Sequence, residues 1–202
     1  MTWTLIETAT ERDAVLELYR KDGRFMIRAN GLELMNGFHH ESETALGAFA
    51  AELAPSQSAR FLVGGLGLGY TPAALLEALD GHGVVTVAEL SSAVIDWFDR
   101  HVKVSALPGS HDNLSIVNAD VADLLASRNR FDAIILDVDN GPEPLVTAVN
   151  SGLYAVDGLR ALHGSLSECG VALLWSGFQS ADFAARAEEA GFTVTCEPFR
   201  RE

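Results

Sequence analysis

Apolar and polar residues alternate over three short stretches near the start of the chain, at positions 15–19, 25–29 and 32–35. Alternation with a period of two is typical of strands that bury one face. Lys21-Asp22-Gly23 offers a turn after the first stretch, and Asn30-Gly31 is a strong hairpin signal after the second. The pattern predicts a small antiparallel β-meander within residues 1–40.

A different pattern fills the rest of the chain. Apolar residues first recur at helical spacing up to Pro55, and from residue 60 short apolar runs alternate with further helical stretches. The predicted strands occupy residues 61–63, 84–88, 114–117, 134–136, 171–175 and 192–196. This alternation predicts an α/β domain over residues 41–202, with a mostly parallel central sheet that is covered by helices on both faces.

Residues that favour helix ends mark several boundaries. The predicted N-caps are Thr71, which precedes Pro72, then Ser91 or Ser92, Asp157 and Ser180. Cys169-Gly170 is expected to end the helix that Asp157 begins, just before the strand at 171–175. The chain ends soon after residues 192–196, so we expect an open sheet edge that a partner chain could cover, as in a homodimer.

Composition narrows the class of protein. The formal net charge of −14 argues against a nucleic-acid surface, and no apolar run is long enough to cross a membrane. Without a signal-peptide pattern, the expected location is the cytoplasm, where Cys169 and Cys196 would stay reduced. The acidic balance suits a small cationic acceptor, although it also serves solubility alone.

A glycine-rich loop follows the first strand of the α/β domain, in the order Gly64-Gly65-Leu66-Gly67-Leu68-Gly69. Glycine allows backbone amides to approach a ligand closely and to turn sharply into a helix. Since this loop lies between a predicted strand and a predicted helix, we interpret Gly64, Gly65, Gly67 and Gly69 as the binding loop for a nucleotide-like ligand.

Acidic residues stand at the end of, or shortly after, each of the next three predicted strands. Glu89 ends the second strand and could accept hydrogen bonds from ribose hydroxyls, whereas Asp120 could accept from an adenine amino group or cap a helix. Asp137 and Asp139 follow the fourth strand, where two carboxylates could hold an ammonium group or take a proton from an amine. Asp139 could equally be a turn former.

The segment 31–43 could form a lid over the cofactor and acceptor, with His40 or Glu43 facing inward. Alternatively, Asn36, Glu41 and Glu43 could simply be the residues that begin a helix. His39, His40 and Glu41 are adjacent, and neighbouring residues rarely share one metal ion. No third ligand is evident in the sequence, so no metal site is expected.

The order of the glycine loop, Glu89, Asp120 and Asp137 resembles the Rossmann-like fold of class I S-adenosylmethionine-dependent methyltransferases. Within these, residues 131–142 and the N-terminal meander resemble the spermidine synthase (polyamine aminopropyltransferase) branch. The resemblance implies that Asp137 activates an amine and that a second aspartate binds the polyamine. Position 140 is Asn instead, so Asp139 is the candidate for that role, and Leu66 replaces an acidic residue of the loop.

The resemblance implies a transferase that uses S-adenosylmethionine, or its decarboxylated form, as its cofactor. Such an enzyme moves an aminopropyl or methyl group to a small acceptor such as a polyamine. An intramolecular reaction of the cofactor, a nucleoside-binding protein without catalysis and a dinucleotide-dependent oxidoreductase are the alternatives.

Overall fold

The strands of this chain form two separate sheets, one antiparallel and one parallel. The computed structural model describes residues 2–54, 56, 58–107, 111–127, 130–138 and 152–199. The strands are β1 Thr4–Glu11, β2 Ala14–Lys21, β3 Arg24–Ala29, β4 Leu32–Asn36, β5 Arg60–Gly64, β6 Val84–Glu89, β7 Leu114–Asn118, β8 Phe131–Leu136 and β9 Leu166–Leu174. The helices are α1 Glu41–Leu53, α2 Tyr70–Leu79, α3 Ser92–Trp97, α4 Lys103–Ala106, α5 Val121–Ala126, α6 Val156–Gly164 and α7 Ala181–Glu189, and a π-helical turn, Phe98–Val102, joins α3 to α4.

The N-terminal sheet is an antiparallel meander in the order β1-β2-β3-β4, which includes the three predicted strands. Asn30 and Gly31 both have positive φ, 50° and 79°, as a tight hairpin turn requires. The sequence pattern missed β1, whose inward-facing positions include Glu7 and Glu11 where an apolar stripe would be expected. Hydrogen bonds to α3 and to the π-helical turn therefore replace apolar packing at two of the inward-facing positions of this strand, while Ala9 between them packs against the core.

The central sheet has the order β7-β6-β5-β8-β9, and all of its neighbours are parallel. In β5, Phe61, Leu62 and Val63 are fully buried because helices cover both faces. Phe61 and Val63 pack into one core cluster, and Leu62 packs into the second cluster on the opposite face. The predicted α/β fold is confirmed.

Two of the predicted N-caps are wrong. Helix α2 begins at Tyr70 with Gly69 at its N-cap, so Thr71 lies within the first turn. Helix α6 likewise has Ala155 at its N-cap, and Asp157 lies in its first turn.

The two serine caps are confirmed. The Ser91 hydroxyl oxygen accepts a hydrogen bond from the Val94 backbone N–H (3.1 Å) at the start of α3. The Ser180 hydroxyl oxygen accepts one from the Phe183 backbone N–H (3.2 Å) at the start of α7.

The end of the chain differs from the prediction in two places. Helix α6 ends at Gly164, and Cys169 lies inside β9, with φ 63°, where the register against β8 shifts. Residues 192–196 do not form a strand. Phe192 and Val194 pack instead against the second core cluster, which contains Leu62. Alternation reports which side chains are buried, but it does not ensure that the backbone finds a hydrogen-bonding partner. In the described part of the chain, β9 is an outer strand.

Carboxylates of β1 join the N-terminal sheet to the α/β domain. Glu7 accepts hydrogen bonds from the Arg100 guanidinium (2.5 and 2.7 Å) and from Trp97 Nε1 (3.1 Å). Glu11 accepts from the Ser92 hydroxyl (2.6 Å) and from a backbone N–H in the first turn of α3 (3.0 Å). Both contacts hold the meander against α3 and the π-helical turn, which follow the carboxyl end of β6.

Substituting Glu7→Gln is expected to weaken this connection at neutral pH. Hydrogen bonds from Arg100 and His101 lower the pKa of Glu7 from 4.5 to about 2. The stabilisation is therefore fully present above pH 4.5 and is lost as the pH falls toward 2. Thermal unfolding of both proteins should show a lower Tm for the variant at pH 7 and a smaller difference at pH 3. A difference that stays constant with pH would contradict the pairing.

No helix in the described ranges is both long and apolar enough to span a membrane.

Candidate functional site

The glycine loop connects β5 to α2 at the carboxyl edge of the parallel sheet. Gly65, Gly67 and Gly69 have φ of +93°, +51° and +81°, which side-chain-bearing residues rarely adopt. A Cβ atom on Gly65 would lie 2.3 Å from the Asp137 carbonyl oxygen, and one on Gly69 would lie 2.4 Å from Phe98 Cε2. The loop therefore needs glycine both for its backbone conformation and for close packing, against the carboxyl end of β8 at Gly65 and against Phe98 of the π-helical turn at Gly69.

The loop's backbone N–H groups are largely used within the protein. The bonds are Gly65 N to Ala88 O (2.8 Å), Leu66 N to Glu89 Oε2 (2.8 Å), Leu68 N to Met35 Sδ (3.0 Å) and Gly69 N to Leu66 O (2.8 Å). A dinucleotide site presents free amides and a helix N-terminus to a pyrophosphate. With these amides occupied, and with Pro72 lacking an N–H in the first turn of α2, the loop is poorly suited to a pyrophosphate.

Glu89 ends β6 and lies directly beside the glycine loop. Its two carboxylate oxygens accept hydrogen bonds from the backbone N–H groups of Leu66 and Ser91, both at 2.8 Å. Each oxygen has a second lone pair that can accept from a ligand hydroxyl. The structure thus brings together the loop and the residue that the sequence predicted beside it, and it holds the carboxylate in a defined orientation.

Asp120 lies one strand further along the same edge. Its Oδ1 accepts from the Ala122 backbone N–H (2.9 Å), so Asp120 is the N-cap of α5, which was one of its two predicted roles. The Asn118 side chain donates to the Glu89 carbonyl oxygen (2.9 Å) and joins the ends of β7 and β6. Asp120 therefore stands near Glu89 along the sheet edge, with one of its carboxylate oxygens engaged by the helix.

Asp137 follows β8 and packs against the loop from the other side. Its N–H donates to the Gly64 carbonyl (2.9 Å), and its Oδ2 accepts from the Thr71 hydroxyl (2.6 Å). Burial raises the pKa of Asp137 from 3.8 to about 6; the Thr71 hydrogen bond opposes this shift, and the charge of Glu43 adds to it. Asp137 can therefore exchange a proton near neutral pH. Asp139 lies outside the described residues.

Sequence reasoning missed the contribution of Thr71 and Tyr70 in the first turn of α2. The ring of Tyr70 stacks on that of His40, with centroids 3.9 Å apart, and burial raises the pKa of the Tyr70 phenol. His40 and Glu43 come from the segment that was predicted to face inward. In the sequence, a threonine after a glycine loop resembles an ordinary helix cap. Only the packing of α1 against α2 shows that Tyr70 lies against His40.

These features define a Rossmann-like fold of the class I methyltransferase type, preceded by an antiparallel sheet, and solved structures share it. A spermidine synthase from Thermotoga maritima superposes with a TM-score of 0.70 at 18% identity, covering 92% of this chain and 64% of that one. A spermidine synthase in complex with the transition state analogue AdoDATO gives 0.69 at 18% identity, covering 92% and 63%. The resemblance to spermidine synthases is thus confirmed at the level of the fold.

A more distant solved structure shares the fold of the α/β domain. Human methyltransferase-like protein 13 in complex with SAH has a TM-score of 0.51 at 20% identity, over 66% of this chain and 62% of that one. No protein-family model and no curated protein matches the sequence. The chain covers less than two thirds of the length of each of these three solved structures: 64%, 63% and 62%, in the order given.

Proposed function

We propose that this chain is a transferase that moves an aminopropyl or methyl group from S-adenosylmethionine, or its decarboxylated form, to a small amine acceptor. One observation carries the proposal: Asp137, a carboxyl group with a pKa raised to about 6, lies directly against the glycine loop. A base that exchanges protons near neutral pH, next to a loop suited to a nucleoside, fits transfer to a nucleophile that must lose a proton.

The charge of the sheet edge favours a cationic ligand. Glu89, Asp120 and Asp137 follow three strands of the sheet, and Glu43 adds a fourth carboxylate from α1. Since four of the loop amides already have acceptors within the protein, this edge suits a sulfonium and an amine better than a phosphate. This argues against the dinucleotide-dependent oxidoreductase as an alternative.

Each of these residues would have a separate role, which its position in the site determines. Glu89 would bind the ribose hydroxyls, Asp120 would bind the adenine amino group, and the glycine loop, Gly64 to Gly69, would lie beside the nucleoside. When bound, the cofactor supplies an electrophilic carbon next to a positively charged sulfur. Asp137 would hold the acceptor and take its proton, so most of the catalysis would come from placing the reactants. Asp139 remains a candidate for binding the acceptor.

Product analysis tests the proposal. The pure protein is incubated with each sulfonium cofactor in turn, together with putrescine or spermidine. Methylthioadenosine would indicate aminopropyl transfer, and S-adenosylhomocysteine would indicate methyl transfer. If either cofactor binds tightly but no acceptor gives either product, the protein is a nucleoside-binding protein and the transferase proposal is wrong. Release of a nucleoside product without any acceptor would indicate an intramolecular reaction.

Calorimetry on Glu89→Gln tests the cofactor site separately. Loss of the charge should weaken binding of S-adenosylmethionine or its analogues by about ten- to a hundredfold, because hydrogen bonds to charged groups are the strong ones. Glu77→Gln, an exposed glutamate on α2, is the matched control and should bind like the wild type. Equal affinities in Glu89→Gln and the control would remove Glu89 from the site.

A further inference from the structure

The end of β4 and the residues that follow it lie against the glycine loop. The Leu68 backbone N–H donates to Met35 Sδ (3.0 Å), and a Cβ atom on Gly67 would lie 2.8 Å from the same sulfur. Two residues further on, a Cβ atom on Gly37 would lie 2.6 Å from the Tyr70 phenol oxygen. This segment therefore contacts both the loop and the first residue of α2.

Three polar side chains meet beside this segment. The Arg24 cluster consists of Arg24 on β3, His40 just before α1 and Tyr70 at the start of α2. Arg24 Nη1 donates to the Gly37 carbonyl oxygen (3.0 Å) and lies 3.5 Å from His40 Nε2. The His40 ring stacks on the Tyr70 ring, with centroids 3.9 Å apart and planes inclined by 7°. A guanidinium, an imidazole and a phenol are thus brought together from three separate parts of the chain.

The Arg24 cluster borders the proposed cofactor site. Tyr70 directly follows Gly69, the last glycine of the loop. The next residue, Thr71, donates its hydroxyl to Asp137 Oδ2 (2.6 Å). Three consecutive residues therefore connect the glycine loop, the Arg24 cluster and the carboxyl group that follows β8. A ligand that lies between the loop and Asp137 is close to the cluster.

Arg24 carries a positive charge that no carboxylate pairs with in the described part of the chain. It takes part in none of the ion pairs there, although the chain has 28 acidic residues against 14 lysines and arginines. The residue is exposed, so a ligand can reach it. Burial raises the pKa of Tyr70, so its phenol keeps the proton at neutral pH and remains a donor. An arginine fork with further N–H groups to donate matches the geometry of a carboxylate.

We propose that the Arg24 cluster binds the carboxylate in the amino-acid part of the cofactor, so that the chain takes intact S-adenosylmethionine and not its decarboxylated form. This inference rests on the proposed function and chooses between its two cofactors. The acidic sheet edge suits the sulfonium and the ammonium group, which both forms carry, whereas only the intact form carries a carboxylate. An aminopropyl group exists only in the decarboxylated form, so this subsite counts against aminopropyl transfer.

Calorimetry without an acceptor tests the subsite. The wild type should bind S-adenosylmethionine about tenfold more tightly than the decarboxylated form, the scale of one charge-assisted contact at an exposed position. Arg24→Gln should remove this preference by weakening the binding of S-adenosylmethionine about tenfold. It should not weaken the binding of the decarboxylated form or of methylthioadenosine, because neither carries the carboxylate.

Two further variants serve as controls. Arg20→Gln removes the same charge from β2, where the guanidinium lies over the Phe25 ring, 5.6 Å from its centroid, and it should keep the preference. Arg24→Lys keeps the positive charge but loses the fork, so it should keep part of the preference. This second variant also covers the case in which Arg24→Gln does not fold.

The outcomes distinguish this inference from the proposed function. A wild type that binds both sulfonium cofactors equally, or the decarboxylated form more tightly, overturns the inference and leaves the proposed transferase standing. A preference for S-adenosylmethionine that survives in Arg24→Gln also overturns it, because the carboxylate then binds elsewhere. Weaker binding of methylthioadenosine by Arg24→Gln would show that Arg24 supports the loop and would overturn the subsite. A wild type that binds none of the three ligands overturns the proposed function and the subsite together.

Discussion

Asp137→Asn is expected to reduce transfer by about a hundredfold to ten-thousandfold while making the folded protein more stable at alkaline pH. Asparagine can still accept the hydrogen bond from the Thr71 hydroxyl, so the local geometry should survive. It cannot accept a proton from the nucleophile, and it removes a negative charge from a buried position.

The sign of the stability change follows from the pKa of Asp137. Its pKa is about 6 in the folded protein, against an ordinary value of 3.8 for an aspartate in water, so the folded state binds the proton more tightly. The destabilisation of the folded state by the Asp137 carboxylate is therefore negligible below pH 4, and it grows as the pH rises through 6. Two pKa units correspond to about 3 kcal/mol, which is the upper limit of the gain from Asp137→Asn at pH 8.

Urea unfolding of wild type and Asp137→Asn at pH 4 and pH 8 measures this gain. Asp80→Asn, at an exposed position with φ 47°, which asparagine tolerates, is the control and should show no such pH dependence. A variant that is less stable than the wild type at pH 8 would mean that the carboxylate contributes to the fold, and not only to a site. A fully active variant would exclude Asp137 as the base.

Gly65→Ala is the second substitution with a large expected effect. The new Cβ would meet the Asp137 carbonyl oxygen at 2.3 Å, and φ of +93° is unfavourable for alanine. Neither partner can rotate away, since the contact is between backbone segments at the ends of β5 and β8. We expect a loss of about 2–4 kcal/mol in the free energy of unfolding and loss of cofactor binding, because the Leu66 N–H would leave Glu89.

Gly81→Ala provides a matched comparison. Its φ of +83° is close to that of Gly65, but nothing lies within 4 Å of the position that a Cβ would take. This variant should lose only the conformational contribution, about 1–2 kcal/mol, and should bind cofactor normally. Urea unfolding and calorimetry of the two variants isolate the effect of close approach. Equal losses in both would show that the loop does not depend on contact with Asp137.

The local sequence pattern was sufficient to predict the structure of a segment when the physical reason for that structure lies within the segment itself. The buried run at residues 61–63 is apolar because helices cover both faces of a parallel strand, and the Asn30-Gly31 turn needs residues that tolerate positive φ. The glycines of the loop also mark their own conformation. The α/β fold, the loop and the acidic residues that follow the strands could therefore be predicted from residues close together in the sequence.

Pattern was misleading where a residue's partner comes from elsewhere in the chain. β1 carries inward-facing glutamates because Ser92 on α3 and Arg100 in the π-helical turn lie opposite them, and residues 192–196 alternate without forming a strand. Thr71 resembles a helix cap, but its hydroxyl bonds to Asp137, 66 positions away. Each of these outcomes depends on contacts between distant segments, which carry no local signature.

The sequence by itself determined which residue types stand at the carboxyl edge of the sheet, because strand ends and turns impose short-range requirements on the chain. Only the tertiary structure decided how these residues act on one another. The glycine loop touches Asp137, two of its amides bond to Glu89 and Met35, and the packing of α1 against α2 brings Gly47 to the carbonyl of Thr71, whose hydroxyl bonds to Asp137. The proton affinity of Asp137 arises from that convergence, since burial and neighbouring charge are properties of the assembled fold and not of any one segment.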